Sequence, residues 1–160
     1  MAIGVVPIDL AVPWHAAALR DLLAAYAADP AGGGQALAPD VLERLPRLLA
    51  GQPNYVGFIA FDSADPIGLV NCFIAVSTFK AAPLLNVHDI VVRSSHRGRG
   101  VGAALLAAVE REARARGCCK ITLEVLEGNG AALALYRRVG FDDYRLDPQM
   151  GRALFMQKWL

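Results

Sequence analysis

The sequence predicts an α/β or α+β fold, with helices and strands mixed around one sheet. Three observations lead there. Segments with apolar residues at helical spacing alternate with short apolar runs rich in β-branched and aromatic residues. The chain has 160 residues, 55% hydrophobic and 19% charged, which suits one domain over 1–160 and excludes global disorder. A glycine-rich turn at 96–103 joins an apolar strand pattern to a helix pattern.

Val5 to Ile8 reads as a short first strand. From Val12 to Ala28, Trp14, Ala18, Leu22, Ala25 and Tyr26 recur at helical spacing, and Asp29-Pro30-Ala31-Gly32-Gly33-Gly34 stops that helix. A second helix runs from about Pro39 to Ala50, with Pro39 in its first turn. Tyr55 to Phe61, Ile67 to Thr78 and Leu84 to Val92 read as strands, the first two joined by a turn at Asp62 to Pro66. Gly68 and Asn71 interrupt the second of these apolar runs. Gly100 to Arg116 is a helix closed by Gly117. A strand at Ile121 to Val125 and a helix at Ala131 to Val139 follow, and Phe141 to Leu146 and Ala153 to Leu160 read as closing strands.

Sixteen Lys and Arg against fifteen Asp and Glu leave a formal charge of +1, so bulk charge predicts neither nucleic acid nor an anionic membrane as partner. No apolar run reaches the ~18 residues of a membrane span. The N-terminus lacks a basic stretch leading into an apolar run. Three cysteines, Cys72, Cys118 and Cys119, make neither a disulfide framework nor a CxxC metal site. The expectation is a cytoplasmic protein that holds no metal.

His96-Arg97-Gly98-Arg99-Gly100-Val101-Gly102-Ala103 is the most informative segment. A helix starting there offers amides without internal acceptors, and glycines let an anion approach them. Phosphate or pyrophosphate is the expected ligand, with Arg97 and Arg99 adding positive charge. The alternative is a tight turn with solvated arginines. The Lys-Ser/Thr of a nucleotide P-loop is absent. Gly98-x-Gly100-x-x-Ala103, with Glu124 some twenty residues on, loosely matches a dinucleotide fingerprint, but only about sixty residues follow, too few for the βα units of that fold.

Arg97-x-x-Gly100-x-Gly102 resembles the acetyl-coenzyme A signature of the GNAT N-acetyltransferase superfamily, and it follows the strand His88-Asp89-Ile90-Val91-Val92 as in that family. Asn129-Gly130-Ala131 through Leu135-Tyr136-Arg137-Arg138-Val139-Gly140-Phe141 resembles the family's Asn…Ala…Leu-Tyr…Gly-Phe segment. The resemblance is strong over Leu84 to Phe141. It implies a mixed, strongly bent sheet of six to seven strands with about four flanking helices. It implies acetyl-CoA as co-substrate. The pyrophosphate would lie on the amides of Arg97, Gly98, Arg99, Gly100, Val101, Gly102 and Ala103, the pantetheine arm on the backbone of Ile90, Val91 and Val92, and Asn129 would touch that arm. The fourth and fifth strands would splay to admit the thioester. Tyr136 would point its hydroxyl at the sulfur. From periodicity alone, Tyr136 reads first as a core aromatic, and the motif turns the reading toward the sulfur.

The implied reaction is direct attack of a primary amine on the thioester, within a ternary complex. It needs a neutral amine, a polarised carbonyl, proximity and a proton for the thiolate. A strand amide near Val92 is a candidate to polarise the carbonyl, and Tyr136 to give the proton. His88 and Asp89 are the candidate bases, expected on opposite faces because strand side chains alternate. Relatives that resemble polyamine acetyltransferases carry an acid where His88 stands, which leaves the base open. Glu124 and Glu127 are further candidates, though Glu127 reads better as a solvated group. Tyr26, Asp29, Gly32 to Gly34 and the strand Phe73 to Phe79 would wall the amine side, although Asp29 reads first as a helix terminator. A cysteine nucleophile is unnecessary for direct transfer. The amine would belong to a small molecule or a protein. The resemblance allows a homodimer, through Ala153 to Leu160 with Phe155 and Trp159, with a monomer as the alternative. The competing function is a non-catalytic module that binds or senses acyl-CoA.

Overall fold

Tyr55–Asp62 and Asp65–Ser77 fold back on each other through the two-residue turn Ser63-Ala64, with Asp62 opposite Asp65 and Ser63 at φ 59°. In the computed structural model, which describes residues 3–160, this hairpin is the middle of a five-stranded sheet. The strands are β1 (Ile3–Pro7), β2 (Tyr55–Asp62), β3 (Asp65–Ser77), β4 (Ala82–Val92) and β5 (Ile121–Leu123), in the spatial order β1-β2-β3-β4-β5. The first four pair antiparallel, and β5 pairs parallel to β4. Four α-helices accompany them: α1 (Pro13–Ala28), α2 (Pro39–Ala50), α3 (Val101–Ala115) and α4 (Gly130–Arg138). The chain forms two compact units, one reaching Leu123 and the other Glu124–Leu160.

In the first unit, α1 and α2 cover one face of the sheet. Both start with proline in the first turn, where the missing N–H is not needed. Leu19, Leu22 and Leu23 of α1 and Leu49 of α2 pack with Ile59, Leu69 and Val91. Each fully buried leucine here contributes ~1.5–3 kcal/mol. The opposite face is covered by α3. Its Val101 and Leu105 lie over Gly68, where any Cβ would stand 2.9 and 3.1 Å from their methyl groups. Gly68 thus sets how closely α3 approaches β3.

In the second unit, Asn129 caps α4 by accepting the Ala132 amide at 3.2 Å. The helix ends in a Schellman turn: Gly140, at φ 97°, donates to the Arg137 carbonyl, and Phe141 donates to the Tyr136 carbonyl. The Phe141 ring meets the Tyr136 ring edge-on at 5.9 Å, the hydrophobic contact that accompanies such turns.

Among the described residues five strands form, where six to seven are expected. The segments 141–146 and 153–160, read from the sequence as closing strands, are not strands among the described residues. A strand needs a neighbour to take its backbone bonds, and the turn Pro148–Met150 with Gly151 at φ 81° lies between the two segments. Leu154, Phe155, Met156, Trp159 and Leu160 are all exposed. The N-terminal strand and the four α-helices agree with the sequence reading.

Candidate active site

The site is built around an irregularity in β4. Asn71 of β3 pairs with Asp89, and the next residue, Cys72, pairs with Val87. His88 is therefore an extra residue, a β-bulge. On the other side of β4, pairing with β5 covers only Leu85, Asn86 and Val87. The ladder between β4 and β5 ends where the bulge begins. Ile90, Val91 and Val92 continue beyond that point, paired to Val70, Leu69 and Gly68 of β3.

The bulge corrects the expectation for His88 and Asp89. Strand alternation places them on opposite faces, but the extra residue cancels one alternation. Asp89 accepts from the Asn71 amide, and the His88 ring stands edge-on to Phe73 at 5.5 Å. Asn71 and Phe73 are two apart on β3 and share its α1 face. Both candidates thus lie on the α1 face, His88 exposed and Asp89 half-buried.

Asn71 is 2% exposed and satisfied on both ends. Its Oδ1 accepts from the Tyr55 hydroxyl at 2.8 Å, and its Nδ2 donates to Asp89 Oδ2 at 3.1 Å. Burial, followed by the charges of Cys72 and Asp89, raises the Tyr55 phenol well above its ordinary range. Burial and then Asp89 push the Cys72 thiol up to about 12. On α1, Tyr26 is also raised, by burial first and then by Asp89 and Asp29. Cys72 is therefore inert as a nucleophile, and Cys118 and Cys119 are half-buried and exposed.

The glycine turn opens α3 as the sequence predicts. Gly98 and Gly100 have φ of 73° and 85°, and a Cβ on either would meet nothing within 4 Å. Gly100 precedes α3, and Ala104 donates the first intrahelical bond to its carbonyl. The amides of Val101, Gly102 and Ala103 fall in the first turn, where no helix carbonyl precedes them. Open space, a helix N-terminus and the exposed Arg97 and Arg99 suit a phosphate group. Arg97 also has protein partners: its Nε donates to the Val92 carbonyl at 3.2 Å, and its guanidinium pairs with Asp29 at 2.7 Å. Asp29 is the C-cap of α1, so its backbone terminates the helix as expected while its side chain reaches the glycine turn.

In the second unit, Asn129 is the α4 cap, Tyr136 is buried, and Glu127 is exposed and paired with Arg152 at 3.1 Å. Glu124 is exposed. Sequence reading noticed Asn71 only as a break in an apolar run and gave Tyr55 no role. A polar amide in the middle of a buried strand was the available signal.

A model of the Acetyltransferase (GNAT) family matches residues 17–141, and the chain belongs to that family. Over 73 residues, 46% of the chain, it is 37% identical to an L-methionine sulfoximine/L-methionine sulfone acetyltransferase of Pseudomonas aeruginosa, covering 41% of that protein. Over 75 residues it is 40% identical to a streptothricin acetyltransferase of Streptomyces lavendulae, covering 47% of the chain and 40% of that protein. The matches thus span about two fifths of these curated relatives. An aminoglycoside N-acetyltransferase solved in complex with CoA superposes with a TM-score of 0.76 at 21% identity, covering 98% of this chain and 95% of the other, and shares the fold.

Proposed function

We propose that this chain is an acetyl-CoA-dependent N-acetyltransferase acting on a primary amine of a small molecule. The observation that carries the reading is the place on β4 where the bulge at His88, the end of β5 pairing and the half-buried Asp89 coincide. A ladder that opens there leaves strand backbone for an extended ligand arm, as in strand addition. Acetyl-CoA, when bound, supplies the acetyl group as an activated thioester.

The chain's own residues supply the rest. The amides of Val101 to Ala103 and the arginines Arg97 and Arg99 bind phosphate, and the outer edge of Ile90 to Val92 bonds the pantetheine arm. Asp89 receives the amine as its ammonium form. His88, beside it on the same face, takes up the proton that the amine must lose, a task that suits an imidazole near neutral pH. Asn129 as a contact for the cofactor arm and Tyr136 as proton donor to the departing thiolate rest on the family resemblance. The capping role of Asn129 and the Schellman contact of Tyr136 are compatible with both. We also propose that 1–160 acts as one catalytic domain in the cytoplasm. The exposed apolar side chains of 153–160 support self-association as a homodimer, which sedimentation velocity at rising concentration tests.

The first experiment is thermal unfolding with acetyl-CoA, CoA and NADH in parallel. A ligand that binds only the folded chain raises the midpoint. Stabilisation by the CoA species, followed by thiol release with methionine sulfoximine, streptothricin or an aminoglycoside, supports the reading. No shift with either CoA species at saturation removes it, and stabilisation without turnover of any amine leaves an acyl-CoA binding module.

A further inference from the structure

Among the described residues of its unit, Asp89 is a carboxylate with no ion-pair partner, and its one hydrogen-bond donor there is the Asn71 amide on Oδ2. The other acid at this end of α1, Asp29, has its charge taken up by Arg97. The titratable groups around Asp89 are Tyr26 from α1, Tyr55 from β2, Cys72 from β3 and His88 on β4, and Asp29 stands beyond them at the C-cap of α1, near Tyr26. Tyr26, Tyr55 and Cys72 are neutral near pH 7, and burial raises each of them further. Asp89 is thus the negative charge that this face offers to an arriving cation.

The chain Tyr55–Asn71–Asp89 runs in one direction only. An ionised carboxylate accepts and never donates, so Asn71 must turn its NH2 toward Asp89. That leaves the amide oxygen for Tyr55, whose hydroxyl must then donate. The phenol fixes the amide, and the amide fixes one carboxylate oxygen. Asn71 is buried among apolar neighbours, where an amide is costly unless both ends are bonded. An apolar residue in that strand would pack the core without this demand.

We propose that Asn71 and Tyr55 are positioning residues for amine recognition, holding Asp89 so that its second oxygen is left to bind a substrate ammonium group. This rests on the N-acetyltransferase reading above. It also narrows the acceptor: the amine enters charged, so neutral isosteres of the same shape are rejected at this point.

The test uses the full chain and two readouts. The first needs no turnover. The Asn71 side-chain amide resonances are followed by NMR while benzylammonium chloride, or benzyl alcohol as its neutral counterpart, is added. Asn71 signals that move with the ammonium and not with the alcohol, and lose that response in Asp89→Asn, are expected. An equal response to both probes, or none to the ammonium, overturns the proposal. The second is acetyl transfer from acetyl-CoA to benzylamine. Asn71→Leu should raise KM for the amine about tenfold, with acetyl-CoA affinity within about twofold. In an Asp89→Asn background the same change should do nothing further. A full effect of Asn71→Leu in that background means that Asn71 acts on packing alone and overturns the proposal. Tyr55→Phe, which keeps the ring, gives the same cycle should Asn71→Leu not fold. If wild type fails to bind acetyl-CoA, the enzyme reading falls; if it binds and the cycle shows no coupling, only the positioning role falls.

Discussion

The guanidinium of Arg97 lies 2.7 Å from the carboxylate of Asp29, so the cofactor-type turn before α3 is tied to the C-terminal end of α1 across 68 positions of sequence. Both partners are partly solvated, at 49% and 21% side-chain exposure, so the pair adds little to folding. Its effect falls on the phosphate site, where Asp29 offsets a charge that an anion would use. Asp29→Asn should leave the unfolding midpoint nearly unchanged and tighten binding of CoA about two- to fivefold at low salt, with the gain fading at high salt. Calorimetric titration at the two salt levels checks this. Weaker binding in Asp29→Asn would show instead that the carboxylate holds Arg97 in its phosphate-binding pose.

Gly68 predicts a packing failure. A Cβ there would stand 2.9 Å from a Val101 methyl, 3.0 Å from the Val91 carbonyl oxygen and 3.1 Å from a Leu105 methyl. The methyls can turn aside, but the strand carbonyl cannot. Gly68→Ala should cost ~1–3 kcal/mol in urea unfolding. Gly128→Ala, where a Cβ meets nothing within 4 Å, is the control and should stay within ~0.5 kcal/mol. Equal stability of the two variants would mean that α3 shifts freely on the sheet.

These two cases show what the sequence could and could not carry. Gly100 and Gly117 were legible because a turn is a local event: the residue needing a positive φ stands beside the helix end it serves. The bulge at His88 was not legible, because register is decided by β3, and Asn71 opposite Asp89 is known only once the strands pair. Asn71 was visible as an oddity, but its partners Tyr55 and Asp89 lie 16 and 18 positions away. The segments 141–146 and 153–160 show the reverse. Their aromatic and apolar residues read as strands, but neither is a strand among the described residues, because a strand also needs a partner's backbone and that is not a local property.

Cys72 and Tyr55 predict how stability depends on pH. The Cys72 thiol rises from 9.0 in the unfolded chain to about 12, through burial and then Asp89, and the Tyr55 phenol rises in the same direction. Above the unfolded values, the unfolded chain loses protons that the folded chain keeps. Their contribution is therefore whole below about pH 9 and is lost as pH rises toward 12. The urea midpoint should fall steadily from pH 9 to 11 in wild type. Cys72→Ala starts lower, because it leaves a small cavity, but should fall less steeply. Parallel slopes in the two proteins would show that thiol burial is not the source.

Tyr136 separates structure from chemistry within one side chain. Its ring supports the turn that closes α4, through the edge-on contact with Phe141 and the bond from the Phe141 amide to its carbonyl. Tyr136→Phe retains both, so the turn that closes α4 should hold and acetyl-CoA affinity should stay within about twofold. Tyr136→Ala removes the ring contact and should destabilise by ~3 kcal/mol or more, as for other buried aromatics. If the phenol gives its proton to the departing thiolate, Tyr136→Phe lowers kcat about tenfold or more, with KM for the amine little changed. Steady-state thiol release over a range of amine concentrations measures both constants. An unchanged kcat would leave Tyr136 as a helix-capping aromatic, and the proton would have to reach the sulfur from solvent or from another residue.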